Sequence, residues 1–243
     1  MHKIPSLLLA AGFASALAWS QAAPAPQTVP HKVVAPASSQ PTAVIDTTAG
    51  KLTCKLFPDK APIGVANFVG LAQGTKDWTN PVSHAKKHGV SLYDGTIFHR
   101  VIPNFMIQGG DPAGTGEGDP GYQFKNEVSP DLKFDRPGRL AYANSGPDTN
   151  GSQFFITEQA FVGQQAQMLN GKYTIFGQCD EGSVALVKQI ARMGRDANDR
   201  PYRPVRIQHI TIVPGTITVT KPPTPTPGGV KKPLATPNKT TPQ

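Results

Sequence analysis

The sequence has few of the residues that covalent or redox catalysis would need. Its 243 residues include only two cysteines, Cys54 and Cys179, and they form no Cys-x-x-Cys pair. That spacing argues against a thiol redox motif or a zinc knuckle. No serine or cysteine lies in a recognisable nucleophile motif with a partner base. The sequence therefore favours a reaction that makes and breaks no covalent bond.

Long apolar runs are also scarce. The clearest one, from Leu7 to Trp19, is too short to span a bilayer. It follows a basic start and precedes the small-residue segment Ser20-Gln21-Ala22, so residues 1–23 are predicted to be a secretory signal peptide cleaved near Ala22 or Ala23. An uncleaved anchor is the alternative. We expect a soluble protein that is exported to the periplasm or secreted, without stable membrane insertion.

The formal charge is +8, but the basic residues are not clustered. Lys86-Lys87 and Lys231-Lys232 are only pairs, without interleaved aromatic residues. Nucleic-acid or membrane-surface binding would need a denser patch. The composition favours a solvated surface with a basic tail and predicts no nucleic-acid partner.

Proline is abundant, and its distribution predicts the domain boundaries. Residues 24–41 form a Pro/Ala/Ser-rich linker, and residues 215–243 form a Pro/Thr-rich basic tail with too few large apolar residues to fold alone. The tail is interpreted as solvated chain, with a tether to the cell wall or a partner as the alternative. The folded domain is predicted over residues 42–214.

Within that domain, short runs of alternating apolar residues predict many strands and two helices. The helices are predicted at Pro62–Gly74 and Ser183–Met193. The strands are predicted at Ala43–Thr47, Lys51–Phe57, Thr96–Val101, Met106–Gly109, Arg139–Ala143, Phe154–Thr157, Thr174–Gln178 and Val205–Val213. This pattern indicates a mostly-β closed barrel capped by helices.

Residues 74–94 are long for one connection. His84 and His88 would face the same side of a helix, but Gly89 interrupts the pattern and the neighbouring sequence offers no third metal ligand. We interpret the segment as an exposed polar loop and predict no metal site.

Two motifs carry the functional signal: FHRVIPNFMIQGGDP, beginning at Phe98, and ANSGPDTNGSQFFIT, beginning at Ala143. Each matches, almost residue for residue, a signature of the cyclophilin-type peptidyl-prolyl cis-trans isomerases. The chain resembles this family over roughly residues 42–214. The resemblance implies a closed eight-stranded antiparallel β-barrel capped by two α-helices, and isomerase activity without a cofactor.

The resemblance also implies roles for individual residues. Arg100 would donate to the prolyl nitrogen, with a structural salt bridge as the alternative interpretation, and Gln108 would orient Arg100 or anchor a substrate carbonyl. His99, on the opposite face of the strand, is interpreted as structural. The expected substrate-binding residues are Phe105, Met106, Ala143, Asn144, Gln153, Phe155, Met168, Leu169 and Tyr173.

Two of these positions depart from the eukaryotic pattern. Met168 and Tyr173 stand where better-known relatives carry Trp and His. Tyr173 keeps a flat apolar face, so the pocket should still work. Because that Trp contributes to binding the drug cyclosporin in the family, Met168 predicts weak cyclosporin binding with activity retained.

The family fold would place Cys54 and Cys179 on neighbouring strands. Export to an oxidising compartment permits a disulfide between them. Two free, buried thiols acting as small hydrophobes are the alternative.

The expected function is rotation of X-Pro bonds in proline-containing polypeptides, chiefly unfolded exported proteins, by a monomer. A non-catalytic module that binds proline-containing segments, or a chaperone of the cell envelope, is the first alternative. An envelope-associated structural protein whose tails matter most is the second. Neither the clients nor the residue preferred before proline can be deduced from the sequence.

Overall fold

The computed structural model describes residues 40–215. The predicted signal peptide and nearly all of the predicted linker and tail lie outside these residues. The described part contains ten strands and three helices: β1 (Thr42–Thr47), β2 (Gly50–Leu56), α1 (Pro62–Gln73), β3 (Trp78–Thr79), β4 (Lys86–Lys87), β5 (Arg100–Ile102), β6 (Met106–Gly109), β7 (Arg139–Tyr142), β8 (Phe154–Thr157), α2 (Gly163–Leu169), β9 (Ile175–Cys179), α3 (Glu181–Ala191) and β10 (Ile207–Val213).

Eight strands form one antiparallel curled sheet in the order β10-β1-β2-β9-β7-β8-β6-β5. Its two edges approach each other through backbone hydrogen bonds. The N–H of Ile207 donates to the Thr96 carbonyl at 2.8 Å, and the N–H of Phe98 donates to the Val205 carbonyl at 2.9 Å. The predicted eight-stranded antiparallel architecture is confirmed, with isolated bridges on the closing side.

Local sequence explains where α1 and α3 begin and end. Pro62 occupies the first turn of α1, where its missing N–H costs nothing, and Gly74 ends the helix in a left-handed conformation with φ of 71°. A side chain at Gly74 would also collide with the Val90 backbone. Asp180 caps α3 by accepting a 2.8 Å hydrogen bond from the Ser183 N–H.

Three parts of the fold differ from the sequence prediction. Residues 40–215 contain three helices rather than two, because α2 was not predicted. The predicted strand from Thr96 to Val101 is regular only from Arg100 onward. The segment interpreted as one loop contains the β3–β4 hairpin, and His84 and His88 lie on either side of β4 instead of on a helix.

The two cysteines are joined. Cys54 on β2 lies opposite Cys179 on β9, and a disulfide connects them across 125 residues of sequence. The sequence left open a disulfide or two free thiols, and the structure contains the disulfide.

The core consists of two buried clusters. The larger one fills the curled sheet and packs under α1 and α3 around Phe68, whose ring contacts Tyr93, Phe154 and Phe176. The smaller one lies beneath β6, β7 and β8 and includes Met106, Phe134, Phe155, Phe161 and Leu169. The smaller cluster forms the floor of the candidate active site.

Candidate active site

The site begins on the β5–β6 hairpin. Arg100 pairs with Gln108 across the two strands, which places both side chains on the same face. Asn104, with φ of 58°, lies in the turn that brings Phe105 back toward this face. Alternation along β5 buries the neighbours of Arg100, so Val101 is fully buried and His99 is 5% exposed.

Strand β8 completes the floor. Phe155 lies opposite Gln108 on one side and opposite Ala141 on the other. Just beyond β7, the N–H of Ala143 donates to the Gln153 carbonyl at 3.0 Å. The second sequence motif is thereby held against the first.

Together these elements enclose a cavity of about 190 Å³, termed here the proline cavity. Its lining includes nine of the predicted site residues: Arg100, Phe105, Met106, Gln108, Ala143, Asn144, Phe155, Leu169 and Tyr173. Pockets that take whole ligands measure roughly 300–1,000 Å³. The smaller volume suits a single small ring with the rest of the ligand outside.

The other two predicted residues lie elsewhere. Gln153 lines an adjoining groove of about 300 Å³ that shares Gln108, Ala143 and Asn144 with the proline cavity. Met168, on α2, lies outside both and is 55% exposed.

A layer of aromatic rings supports the cavity. Phe134 stacks on Phe155 with ring centres 5.6 Å apart, and Tyr173 meets the same ring edge-on at 5.6 Å. Phe161 packs edge-on against Phe105 at 5.5 Å. Phe134 and Phe161 were not predicted from the sequence, because they are single aromatic residues in polar, irregular segments without periodicity.

A chain of side-chain amides leads away from Arg100. Gln108 Oε1 accepts from Arg100 Nη1 at 3.5 Å, and Gln108 Nε2 donates to Gln153 Oε1 at 2.9 Å. Gln153 Nε2 in turn donates to the carbonyls of Gly116 and Gly118, each at 2.9 Å. Because these two carbonyls can only accept, they fix which end of each amide faces its neighbour, and Gln108 presents its oxygen to Arg100.

The loop that bears these carbonyls is folded around Asp111. The fully buried carboxylate accepts backbone hydrogen bonds from Ala113 and Gly116 at 2.6 Å each, from Thr115 at 2.9 Å and from Gly118 at 3.2 Å. Burial acts to raise the pKa of Asp111, but the backbone N–H groups lower it further, and the net pKa lies below its ordinary value. Asp111 therefore stays ionised and orders residues 113–118.

Asp199 lies on the other side of Arg100. Its carboxylate is 3.9 Å from Arg100 Nε and 3.0 Å from Arg195 Nε, and its carbonyl accepts from the Val101 N–H at 2.9 Å. Asp199 has φ of 62°. Sequence reasoning missed it because it belongs to a run of mixed charge without a motif.

Neither ring nitrogen of His99 has a hydrogen-bond partner within residues 40–215. Burial lowers the pKa of His99, Asp111 opposes this, and Arg200 and Arg100 lower it further. The imidazole is therefore neutral near pH 7 and adds no charge beside Arg100.

Comparisons with known proteins identify the family of the chain. Residues 42–212 match the family model described as cyclophilin type peptidyl-prolyl cis-trans isomerase/CLD. Peptidyl-prolyl cis-trans isomerase A of Mycobacterium tuberculosis is 52% identical over 172 residues, covering 70% of this chain and 91% of the relative. Peptidyl-prolyl cis-trans isomerase B of Streptomyces anulatus is 45% identical over 172 residues, with coverages of 70% and 95%.

Solved structures give the same result. A cyclophilin type peptidyl-prolyl cis-trans isomerase of Cryptosporidium parvum is 36% identical, with a TM-score of 0.59, and the match covers 71% of this chain and 96% of that one. Another structure of that protein was determined in the presence of the dipeptide Ala-Pro. The chain belongs to the cyclophilin type peptidyl-prolyl cis-trans isomerase family.

Proposed function

We propose that this chain accelerates cis-trans rotation of X-Pro bonds by holding the proline ring in the proline cavity and donating a hydrogen bond from Arg100 to the prolyl nitrogen. The observation that carries the proposal is the position of Arg100: a guanidinium at the rim of an apolar cavity, beside a glutamine of fixed orientation.

The chemistry follows from the electronic structure of the amide. In the planar bond the nitrogen lone pair is delocalised into the carbonyl, and rotation costs roughly 18–20 kcal/mol. At the twisted transition state the lone pair returns to nitrogen, which can then accept a hydrogen bond. A donor fixed at that point binds the twisted amide more tightly than the planar one, and this difference lowers the barrier.

Arg100 suits this task because its guanidinium remains charged and presents several N–H groups in a rigid fork. Gln108 accepts from one of them and Asp199 lies near another, so both limit rotation of the side chain. A charged hydrogen bond contributes about 1.5–3 kcal/mol net, which corresponds to roughly 10- to 150-fold in rate.

The remaining residues of the site would bind the peptide. Phe105, Met106, Phe155 and Leu169 would contact the proline ring, while the backbone at Ala143 and Asn144 would hold the flanking chain extended. The adjoining groove with Gln153 would receive residues preceding the proline. No proton is transferred, so the rate should show no bell-shaped pH dependence.

The test is a prolyl-isomerisation assay on the full chain beside Arg100→Ala. We expect kcat/KM to fall about tenfold or more in the folded variant. Arg203→Ala is the matched control, an exposed arginine outside the proline cavity, and should retain full activity. A folded parent without activity that still binds Pro-containing peptides would support the non-catalytic binding module instead.

We further propose that the protein acts as a monomer on unfolded proteins after export. Export is supported by the sequence of residues 1–23, with its basic start, apolar run and small-residue cleavage site. Fusing residues 1–41 to a reporter that is active only outside the cytoplasm tests the export. An inactive fusion that is expressed at normal levels would contradict it.

A further inference from the structure

A second cavity, of about 510 Å³, lies apart from the proline cavity and shares none of its lining residues. It is bounded by the β3–β4 hairpin, residues 90–97, residues 111–114 and the arginines at positions 200 and 206. We term it the arginine cleft. Its volume lies within the range of small-molecule sites.

Three cations line the arginine cleft: Lys87, Arg200 and Arg206. Arg200 Nη1 donates to the Gly114 carbonyl at 2.8 Å, and Arg206 Nη1 donates to the Gly95 carbonyl. Each guanidinium is thus fixed by one bond and keeps further N–H donors. Within residues 40–215, none of the three cations lies within 4.0 Å of a carboxylate oxygen.

Two carboxylates also line the arginine cleft, but both have other partners. Asp111 is fully buried and its oxygens accept the backbone hydrogen bonds described above. Asp94 lies 3.1 Å from His209 Nδ1 and accepts the Ser91 hydroxyl at 3.0 Å. Three cations against two carboxylates leave the lining of the cleft with a net formal charge of +1.

We propose that the arginine cleft binds a phosphate group, as inorganic phosphate or as a phosphate ester. Guanidinium forks match phosphate oxygens in geometry, and charge-assisted bonds of this kind are about twice as strong as neutral ones. Trp78 and Ile97 add apolar wall beside the cations, so the cleft can take the body of an ester as well. The net positive charge of the chain favours approach of an anion.

The test follows backbone amide NMR signals of the full chain during titration with sodium phosphate, against sodium chloride at matched ionic strength. We expect saturable shifts at Gly95 and Gly114 with phosphate alone. A parallel titration with an O-phosphoserine tripeptide separates the two sources. Tighter binding of the tripeptide identifies an ester, and equal binding identifies inorganic phosphate.

Substitutions in and beside the arginine cleft test whether phosphate binds there. Arg206→Gln and Lys87→Met should each weaken phosphate binding about tenfold or more. Arg203→Gln, a neighbouring exposed arginine outside the cleft, should leave binding unchanged. Arg206 also holds the Gly95 carbonyl, so Lys87→Met is the stricter test, because the Lys87 side chain makes no hydrogen bond within residues 40–215.

Four results would overturn the proposal. Sodium chloride could produce the same shifts, or Lys87→Met could bind phosphate as tightly as the parent. Arg203→Gln could weaken binding as much as Arg206→Gln, which would indicate general charge attraction. Finally, the shifts could centre on Gln108 and disappear in Arg100→Ala, which would place the anion in the proline cavity.

Discussion

At the scale of single residues, Arg100 is held from two sides by groups of different kind. Gln108 accepts a hydrogen bond from Nη1, whereas Asp199 offers negative charge 3.9 Å from Nε. The Arg100 side chain is 44% exposed, so its charge is partly screened by water and the ion pair alone contributes little stability. The expected consequence of this arrangement is orientation of the guanidinium.

Asp199→Asn tests that orientation. Asparagine tolerates the left-handed conformation at this position, so the backbone should be kept while the charge is lost. We expect kcat to fall about two- to fivefold with KM nearly unchanged. Steady-state kinetics with a proline tetrapeptide is the measurement, and Asp59→Asn, an exposed acid outside the proline cavity and the adjoining groove, is the control. An unchanged kcat would show that Asp199 does not position Arg100.

Met168 gives a second prediction at this scale. Its side chain is 55% exposed at the end of α2, next to Leu169 in the proline cavity. Met168→Trp would add a large surface and an indole donor at the rim. We expect weak cyclosporin inhibition in the parent and inhibition about tenfold stronger in the variant, with isomerase activity similar in both. Tight inhibition of the parent would contradict this.

At the scale of elements, the conformation of the loop after β6 depends on one carboxylate, that of Asp111. The loop has no regular secondary structure, and four of its backbone N–H groups donate hydrogen bonds to the Asp111 carboxylate. The loop in turn accepts a hydrogen bond from the Gln153 side chain. The carboxylate is thus connected to Arg100 through two glutamines, although it lies outside the proline cavity.

Stability should depend on Asp111 at acid pH. Its folded-state pKa lies below the ordinary value of 3.8. The carboxylate therefore stabilises the fold above that pH, and the stabilisation is lost as pH falls through the folded-state pKa. Asp111→Asn should cost about 1–3 kcal/mol at pH 7, since it leaves buried donors unsatisfied.

Urea unfolding of the parent and Asp111→Asn between pH 2 and 7 checks this, with pH values chosen to bracket the ordinary pKa. The difference between the two proteins should shrink as pH falls. Asp59→Asn should show no such trend, because Asp59 is exposed and its carboxylate accepts no hydrogen bond within residues 40–215. A difference that stays constant with pH would mean that Asp111 acts through packing and not through its charge.

The elements also show how far the sequence alone could lead. Pro62, Gly74 and the alternation in β1 and β2 carry local signals, and those elements were predicted. Helix α2 has no capping side chain and buries only Leu169, so it has no apolar stripe for a periodicity search to find.

The same distinction holds in the site. Residues within the two motifs were predicted, and most of them meet in the proline cavity. Phe134, Phe161 and Asp199 reach the site through tertiary packing from separate segments, which composition and spacing do not encode.

At the scale of the whole molecule, the disulfide between Cys54 and Cys179 closes a loop spanning 125 residues. A crosslink over so long a loop restricts the unfolded chain strongly. Cys54→Ala/Cys179→Ala should therefore lose about 2–5 kcal/mol in free energy of unfolding, measured by urea denaturation. A reductant should destabilise the parent and leave the double variant unaffected. Equal stability of the oxidised parent and the variant would contradict the prediction.

The curled sheet has a further consequence for a protein expected to handle unfolded chains. Such clients carry unpaired backbone groups and can add themselves as an extra strand to any open sheet edge. Where the two edges meet, Ile207 on β10 is bonded to Thr96, Phe98 is bonded to Val205, and Val101 on β5 is bonded to Asp199. These backbone groups are therefore not free to pair with an added strand, and we expect a client to engage the proline cavity through one short segment without extending the sheet at this point.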